Sequence, residues 1–170
     1  MTVNRDPAEI VANLRGSIEA RSLAPIPDGD AHLLEASAWL HDIGYAPELV
    51  DTGFHPLDGA RYLRDVQDAR PMLCRLVANH SCAIIEADER GLAAVLSREF
   101  PSPDSRLNDA LAYCDMTTTP TGDVVSVHTR LSEIAERYGP DDVVTRFVRK
   151  AEPQLVSSVA RTDQRLCLAE

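Results

Sequence analysis

Apolar residues recur along this chain with the three-to-four-residue spacing of amphipathic helices, and alternating strand-like runs are nearly absent. The first helix is predicted to begin at Asp6, which can cap it, with Pro7 in the first turn and Glu9 at the capping-box position. Ile10 and Leu14 begin its apolar face. The segment SLAPIPDGD should end this helix, because its prolines and glycine do not continue helical hydrogen bonding.

A second helix is predicted from Asp30, with Trp39 among its core residues and Gly44 as its stop. The pattern therefore predicts an all-α fold, a compact helical bundle in which short connections join antiparallel neighbours. Further helices are predicted to begin at Pro56 and at Pro71. Others are predicted over residues 86–96, from Asp104 or Ser105, and over residues 127–138. The tail is predicted to be helical, with a break at Pro153.

Length and composition indicate one globular domain. The chain has 170 residues, of which 44% are hydrophobic and 26% charged, as is usual for a globular protein with its own core. We expect a single domain over residues 1–170, with a core at about 30–138 and C-terminal helices at 140–168. The N-terminus lacks a signal-peptide pattern, and no apolar run approaches the roughly 20 residues that span a bilayer. These features predict a cytoplasmic protein without a membrane partner.

The formal net charge of -10 changes the range of expected partners. A field of this sign repels phosphate backbones, so no nucleic-acid polymer is predicted as a partner. A small phosphorylated molecule remains acceptable, because a bound metal ion can reverse the local field. The acidity could also serve solubility alone.

Candidate chemistry begins with the histidines. His41 is followed directly by Asp42 at the end of an apolar helix, where a charged residue is costly unless it is paired or metal-bound. Imidazole and carboxylate groups together suit zinc, iron, manganese and similar divalent ions. Helical bundles often build such sites from facing helices. His32 and His128 are predicted to have only structural roles.

Four blocks of sequence, in order, resemble one known family. The blocks AWLHDIGY, GFHPLDGARYL, VANHS and ALAYCDMTT are similar to those of the HD superfamily of metal-dependent phosphohydrolases, over roughly Asp30 to Tyr138. The resemblance implies an HD-type helical fold and hydrolysis of a phosphate ester or anhydride bond in a small phosphorylated molecule, a nucleotide being the favoured class. In such a reaction the metal activates water and neutralises phosphoryl charge, without a covalent enzyme intermediate.

The resemblance also implies a set of metal ligands. His41, Asp42 and Asp115 would ligate one metal ion. His55 and His80 match the extra histidines of a subgroup that holds a second ion bridged by Asp42; in single-metal members these positions face the substrate phosphate instead. The implied cofactor is therefore one or two divalent ions, chosen among Fe, Mn, Zn, Co, Ni and Mg. Asp42 and His80 are the predicted catalytic residues.

Two arginines are candidates for binding the substrate phosphate. Arg61 and Arg130 carry guanidinium groups, which suit bidentate recognition of an oxyanion. Both could equally lie on solvated helix faces. The sequence leaves homodimerisation open.

Two positions depart from the family pattern. Gly16 or a close neighbour stands where relatives have a first-helix histidine, and Tyr45 stands where many relatives have lysine. Two other functions therefore stay open. One is a degenerate, non-catalytic HD domain that binds metal or nucleotide, and the other is a di-iron oxygenase of the HD fold.

Each candidate ligand also has a purely structural interpretation. His41 and Asp42 could form a hydrogen-bonded pair at a helix end, and His55 could cap the helix that follows it. His80 could be a buried histidine with satisfied hydrogen bonds. Asp115 could cap the following turn.

Overall fold

The computed structural model describes residues 28–103, 105–119 and 121–167. The described residues form helices and no β-strand, which confirms the predicted all-α fold class. An isolated antiparallel bridge joins Thr118 and Val124. No helix in these ranges is long and apolar enough to cross a membrane. The helix predicted from Asp6 lies outside the described residues.

Most of the helices begin within three residues of their predicted starts. Single 3-10 turns connect some of them, at Ile43–Tyr45, Pro47–Leu49 and His80–Cys82. The α-helices are α1 (Asp28–Leu40), α2 (His55–Asp65), α3 (Pro71–Asn79), α4 (Ala83–Glu89), α5 (Ala93–Glu99), α6 (Ser105–Met116), α7 (Val127–Tyr138) and α8 (Val143–Cys167).

Three clusters of buried apolar side chains hold these helices together. The first joins α2, α3, α4 and α5 around Leu57 and Val77. The second joins α1, α3 and α6 around Leu34 and Leu111. The third joins α6, α7 and α8 around Leu155. Helix α6 contributes to the second and third clusters, so it joins the helices that form them.

The structure corrects three details of the predicted helices. The single helix expected over residues 86–96 is two helices, α4 and α5, separated at Gly91, whose φ of 72° does not occur inside an α-helix. Pro153 does not interrupt the tail, because α8 continues through it. Ala151 and Leu155 on either side of this proline are fully buried, so packing offsets the cost of the lost hydrogen bond. Trp39 is 40% exposed rather than part of the core.

Gly44 does not act as the predicted helix stop. Helix α1 ends earlier, at Leu40, and the backbone of Gly44 is not left-handed. A Cβ atom at this position would lie 2.0 Å from the carbonyl oxygen of His55 and 2.6 Å from the amide nitrogen of Gly59. Glycine is therefore required because the turn after α1 packs directly on the first turn of α2. This contact brings Asp42 close to His55.

Candidate metal centre

The turn after α1 positions the first two site residues. His41 is buried, and its Nδ1 lies 2.8 Å from the carbonyl oxygen of Ala38. Since a carbonyl only accepts, Nδ1 carries the proton and the Nε2 atom faces the site. That Nε2 lies 3.6 Å from Oδ2 of Asp42 and 3.7 Å from Oδ1 of Asp115. An imidazole oriented in this way by a backbone carbonyl is typical of metal ligands.

A strained turn between α3 and α4 positions His80. Ser81 and Cys82 both have left-handed backbones, with φ of 46° and 61°, and residues other than glycine hold this conformation only where surrounding structure imposes it. His80 is buried, and its Nδ1 lies 2.6 Å from the carbonyl oxygen of Val77. Its Nε2 therefore faces the site, 3.2 Å from the Nε2 of His55.

Asp115 reaches the site from the last turn of α6. The Ser81 hydroxyl donates a 2.5 Å hydrogen bond to Oδ2 of Asp115, while Oδ1 faces His41. Burial opposes ionisation of this carboxyl, but interaction with His41 outweighs burial and holds the pKa of Asp115 below its usual range. Asp115 is therefore an anionic oxygen donor whose Oδ2 atom is held by Ser81. Ser81 was not predicted as a site residue, although it directly follows His80 in the VANHS block.

His55 is the first residue of α2 and is largely buried. Its ring stacks on the phenol ring of Tyr45, with centroids 3.9 Å apart and an interplanar angle of 16°. Its Nε2 lies 3.4 Å from Oδ1 of Asp42. Tyr45 thus supports the orientation of this imidazole.

These side chains form one donor cluster. Asp42, His55 and His80 each offer a ligand atom, and these atoms all lie within 4.8 Å of one another. His41 adjoins this trio through its contact with Asp42, and Asp115 adjoins it through its contact with His41. Nitrogen and carboxylate oxygen donors at this spacing fit a divalent transition metal ion. The structure therefore brings together all five predicted ligands.

The electrostatics of the cluster agree with this fit. Burial lowers the pKa of His41, but the carboxylates of Asp42 and Asp115 outweigh it and raise that pKa to about 9. For His80, burial together with the neighbouring His41 and His55 lowers the pKa to about 4. The carboxylates thus attract positive charge to the site, while the imidazole of His80 remains neutral with an available lone pair.

A pocket opens beside the cluster, and only one of the two candidate arginines lines it. Arg130 lines this pocket and is 4% exposed; it pairs with Glu133, and its Nε has no hydrogen-bond partner among the described residues. Arg61 does not line the pocket. It donates two bonds to Glu99, at 2.7 and 3.1 Å, and we propose no substrate contact for it. His128 is exposed, with a side-chain exposure of 67%.

Comparison with protein families identifies the fold. Residues 11–119 match the family described as HD domain, and this match covers more than half of the chain. The chain therefore belongs to the HD domain family, the superfamily of metal-dependent phosphohydrolases. No curated protein matches the chain. No solved structure matches it either.

Proposed function

We propose that this protein hydrolyses a phosphate ester or anhydride bond in a small phosphorylated molecule, with a nucleotide as the favoured class, using one or two divalent metal ions. The observation that carries the proposal is the convergence of the Asp42 carboxylate with the imidazoles of His55 and His80. Family membership supports the reaction class. We also propose a cytoplasmic location and action on a free small molecule.

The resemblance to the HD superfamily implies the ligand roles that we propose, and the distances are compatible with them. His41, Asp42 and Asp115 would hold one ion, and His55 and His80 would hold a second ion or contact the phosphate. The carboxylate oxygens of Asp42 lie between the two groups, with Oδ2 near His41 and Oδ1 near His55, so Asp42 is suited to bridging. A bound ion would supply activated water and neutralise phosphoryl charge.

Arg130 is the proposed phosphate-binding side chain from outside the family match. Its guanidinium is buried in the pocket wall, and Glu133 pairs with only part of it. The charge of Arg130 also reaches the carboxylate of Asp115, whose pKa it helps to lower. A buried guanidinium with donor capacity left beside a metal centre is suited to phosphate oxygens.

The test combines elemental analysis with hydrolysis assays. Protein purified without chelators should contain a divalent transition metal or magnesium, and it should release phosphate from nucleotides or from 4-nitrophenyl phosphate. Removal of the metal with a chelator should abolish release, and re-addition should restore it. Metal-loaded protein that hydrolyses none of a broad set of phosphate esters and anhydrides would contradict the proposal.

One observation favours a second candidate. Gly16 or a neighbour stands where relatives have a first-helix histidine, so the first ion would have at most three protein ligands from this set. This loss favours a non-catalytic domain that binds metal or nucleotide. Stoichiometric metal with nucleotide binding and no turnover would identify it.

A further inference from the structure

The pocket beside the metal centre has two chemically different parts. Its polar part comes from the family-matched segment and includes Asp42, His55, His80 and Asp115. The facing wall comes from α7 and α8, beyond residue 119. We call this the α7–α8 wall; it consists of Arg130, Ile134, Tyr138, Val144, Phe147, Val148 and Leu155.

Helix α7 orders its part of the wall along its axis. Arg130, Ile134 and Tyr138 all line the pocket, and their spacing of four residues places them on one helix face in successive turns. Each step advances about 6 Å along the axis. A phosphate that contacts Arg130 can therefore direct its organic group along this face, past Ile134 and toward Tyr138.

Helix α8 makes the wall apolar. Its four lining residues carry no charge and, with valine, phenylalanine and leucine side chains, no hydrogen-bonding group. Phe147, Val148 and Leu155 belong to the third core cluster, which fixes their positions. Val144 and Tyr138 are only partly buried, so they retain surface that a ligand can cover.

We infer that the α7–α8 wall selects substrates that carry an uncharged apolar or aromatic group at the end away from the phosphate, such as a nucleobase or an aryl group. The inference rests on the proposed function for the position of the phosphate. A glycerol phosphate, which has only hydroxyl groups at that end, would lose hydrogen bonds to water against the apolar α8 side chains without gaining others. An aromatic group loses no such bonds and gains apolar contact.

The charged side chains around the pocket support the same preference. Glu86 also lines it, but both bonds from Arg90, at 2.6 and 2.8 Å, go to Oε1 of this carboxylate. A second negative group on the substrate would meet the Glu86 carboxylate, so one phosphoryl end and one neutral end fit best.

The test measures binding separately from hydrolysis. Dissociation constants are determined by calorimetry for naphthylphosphonate, 2-hydroxyethylphosphonate and inorganic phosphate, on protein supplied with Mn²⁺. We expect naphthylphosphonate to bind at least about tenfold more tightly than 2-hydroxyethylphosphonate, as apolar pocket contacts of this size give. Val144→Asn should reduce that ratio at least about fivefold and leave the inorganic phosphate constant nearly unchanged. Val66→Asn is the matched control, because Val66 is 66% exposed and does not line the pocket.

Similar binding of the two phosphonates, failure to bind either, or an unchanged ratio in Val144→Asn would overturn the inference. Hydrolysis of naphthyl phosphate and glycerol 3-phosphate is measured in parallel. A binding preference without hydrolysis of any ester supports the wall and contradicts the proposed reaction. Hydrolysis without a binding preference supports the reaction and contradicts the wall.

Discussion

The Nε2 atoms of His55 and His80 lie 3.2 Å apart. Because Nδ1 of His80 donates to the carbonyl oxygen of Val77, the Nε2 atom of neutral His80 presents a lone pair to His55. Two lone pairs at this distance repel, so a proton or a metal ion must lie between or beside these nitrogens. A proton on Nε2 of His55 makes this contact a hydrogen bond, and a metal ion bound by both nitrogens would replace it.

We predict that His55→Ala and His80→Ala each weaken metal or phosphate binding at least about tenfold, a loss at the lower end of what even outer-shell changes cause. Both variants should still unfold cooperatively. His80→Ala should lose about 1–3 kcal/mol of stability, because the carbonyl of Val77 loses its donor. Metal titration and thermal unfolding measure the two effects. Loss of cooperative unfolding in either variant would favour a core-histidine role instead.

Asp42→Ala should remove metal and activity together, because the Asp42 carboxylate contacts both His41 and His55. His128→Ala is the control and should change neither, since His128 is exposed and its partner is Glu152, at 3.7 Å. Elemental analysis and a phosphate-release assay on the same preparations give the result. Full metal occupancy with unchanged turnover in the Asp42 variant would rule out the ligand role.

Gly44→Ala should destabilise the protein by about 3 kcal/mol or more and weaken metal binding, because its Cβ would overlap the backbone of α2. Separating the turn from α2 would also separate Asp42 from His55. Gly91→Ala is the matched control: it lies in open space with a φ of 72°, so it should cost only about 1–2 kcal/mol of backbone strain. Denaturant unfolding and metal titration compare the two. Equal effects on metal binding would contradict the close-contact role of Gly44.

Asp109 should contribute to stability in a pH-dependent way. This buried carboxylate joins α6 to α8 through bonds of 2.6 and 2.8 Å from Arg161, with Arg165 nearby. Burial raises its pKa, but the bonds from Arg161 outweigh burial and the pKa is lowered. A lowered pKa stabilises the fold above the unfolded-state value of about 3.9, and this contribution is lost as the pH falls further.

Asp109→Asn should therefore lower the free energy of unfolding by about 1–3 kcal/mol at pH 7, and the difference from the natural chain should shrink below about pH 4. Asp65→Asn serves as the comparison, because Asp65 also pairs with an arginine but is exposed, and it should have little effect. Urea unfolding between pH 3 and pH 7 provides the measurement. A difference that stays constant over this range would contradict the ion-pair contribution.

Placing histidine on the first helix should tighten metal binding. Gly16 lies outside the described residues, and the family pattern puts a ligand at or near this position. Gly16→His would supply an imidazole and also replace a glycine of the helix predicted from Asp6; a glycine inside a helix costs roughly 0.5–1 kcal/mol. Metal titration compares it with the natural chain and with Ser17→His as a register control. If neither variant binds metal more tightly, the first helix does not face the site or another group already completes it.

Local sequence patterns predicted most of the helices, and the resemblance to the HD superfamily supplied the candidate ligand residues. Apolar spacing located α7 at residues 127–138, its observed bounds, because an amphipathic helix repeats its buried positions at a fixed interval. The His41-Asp42 pair, His80 and Asp115 became candidates because the blocks that contain them resemble those of the HD superfamily. Such a resemblance depends on short segments, so a linear sequence is enough to point to candidate ligands.

Packing between distant segments decided the rest. Helix α8 continues through Pro153 because buried residues on both sides hold it, and local propensity does not include that contribution. Packing also decided which of the two candidate arginines lines the pocket. Arg61 pairs with Glu99, whereas Arg130 lines the pocket. A helix sequence shows which face is apolar, but not which helix covers that face or which charges it meets. The α7–α8 wall exists only because residues 130–155 fold back beside a cluster formed much earlier in the chain.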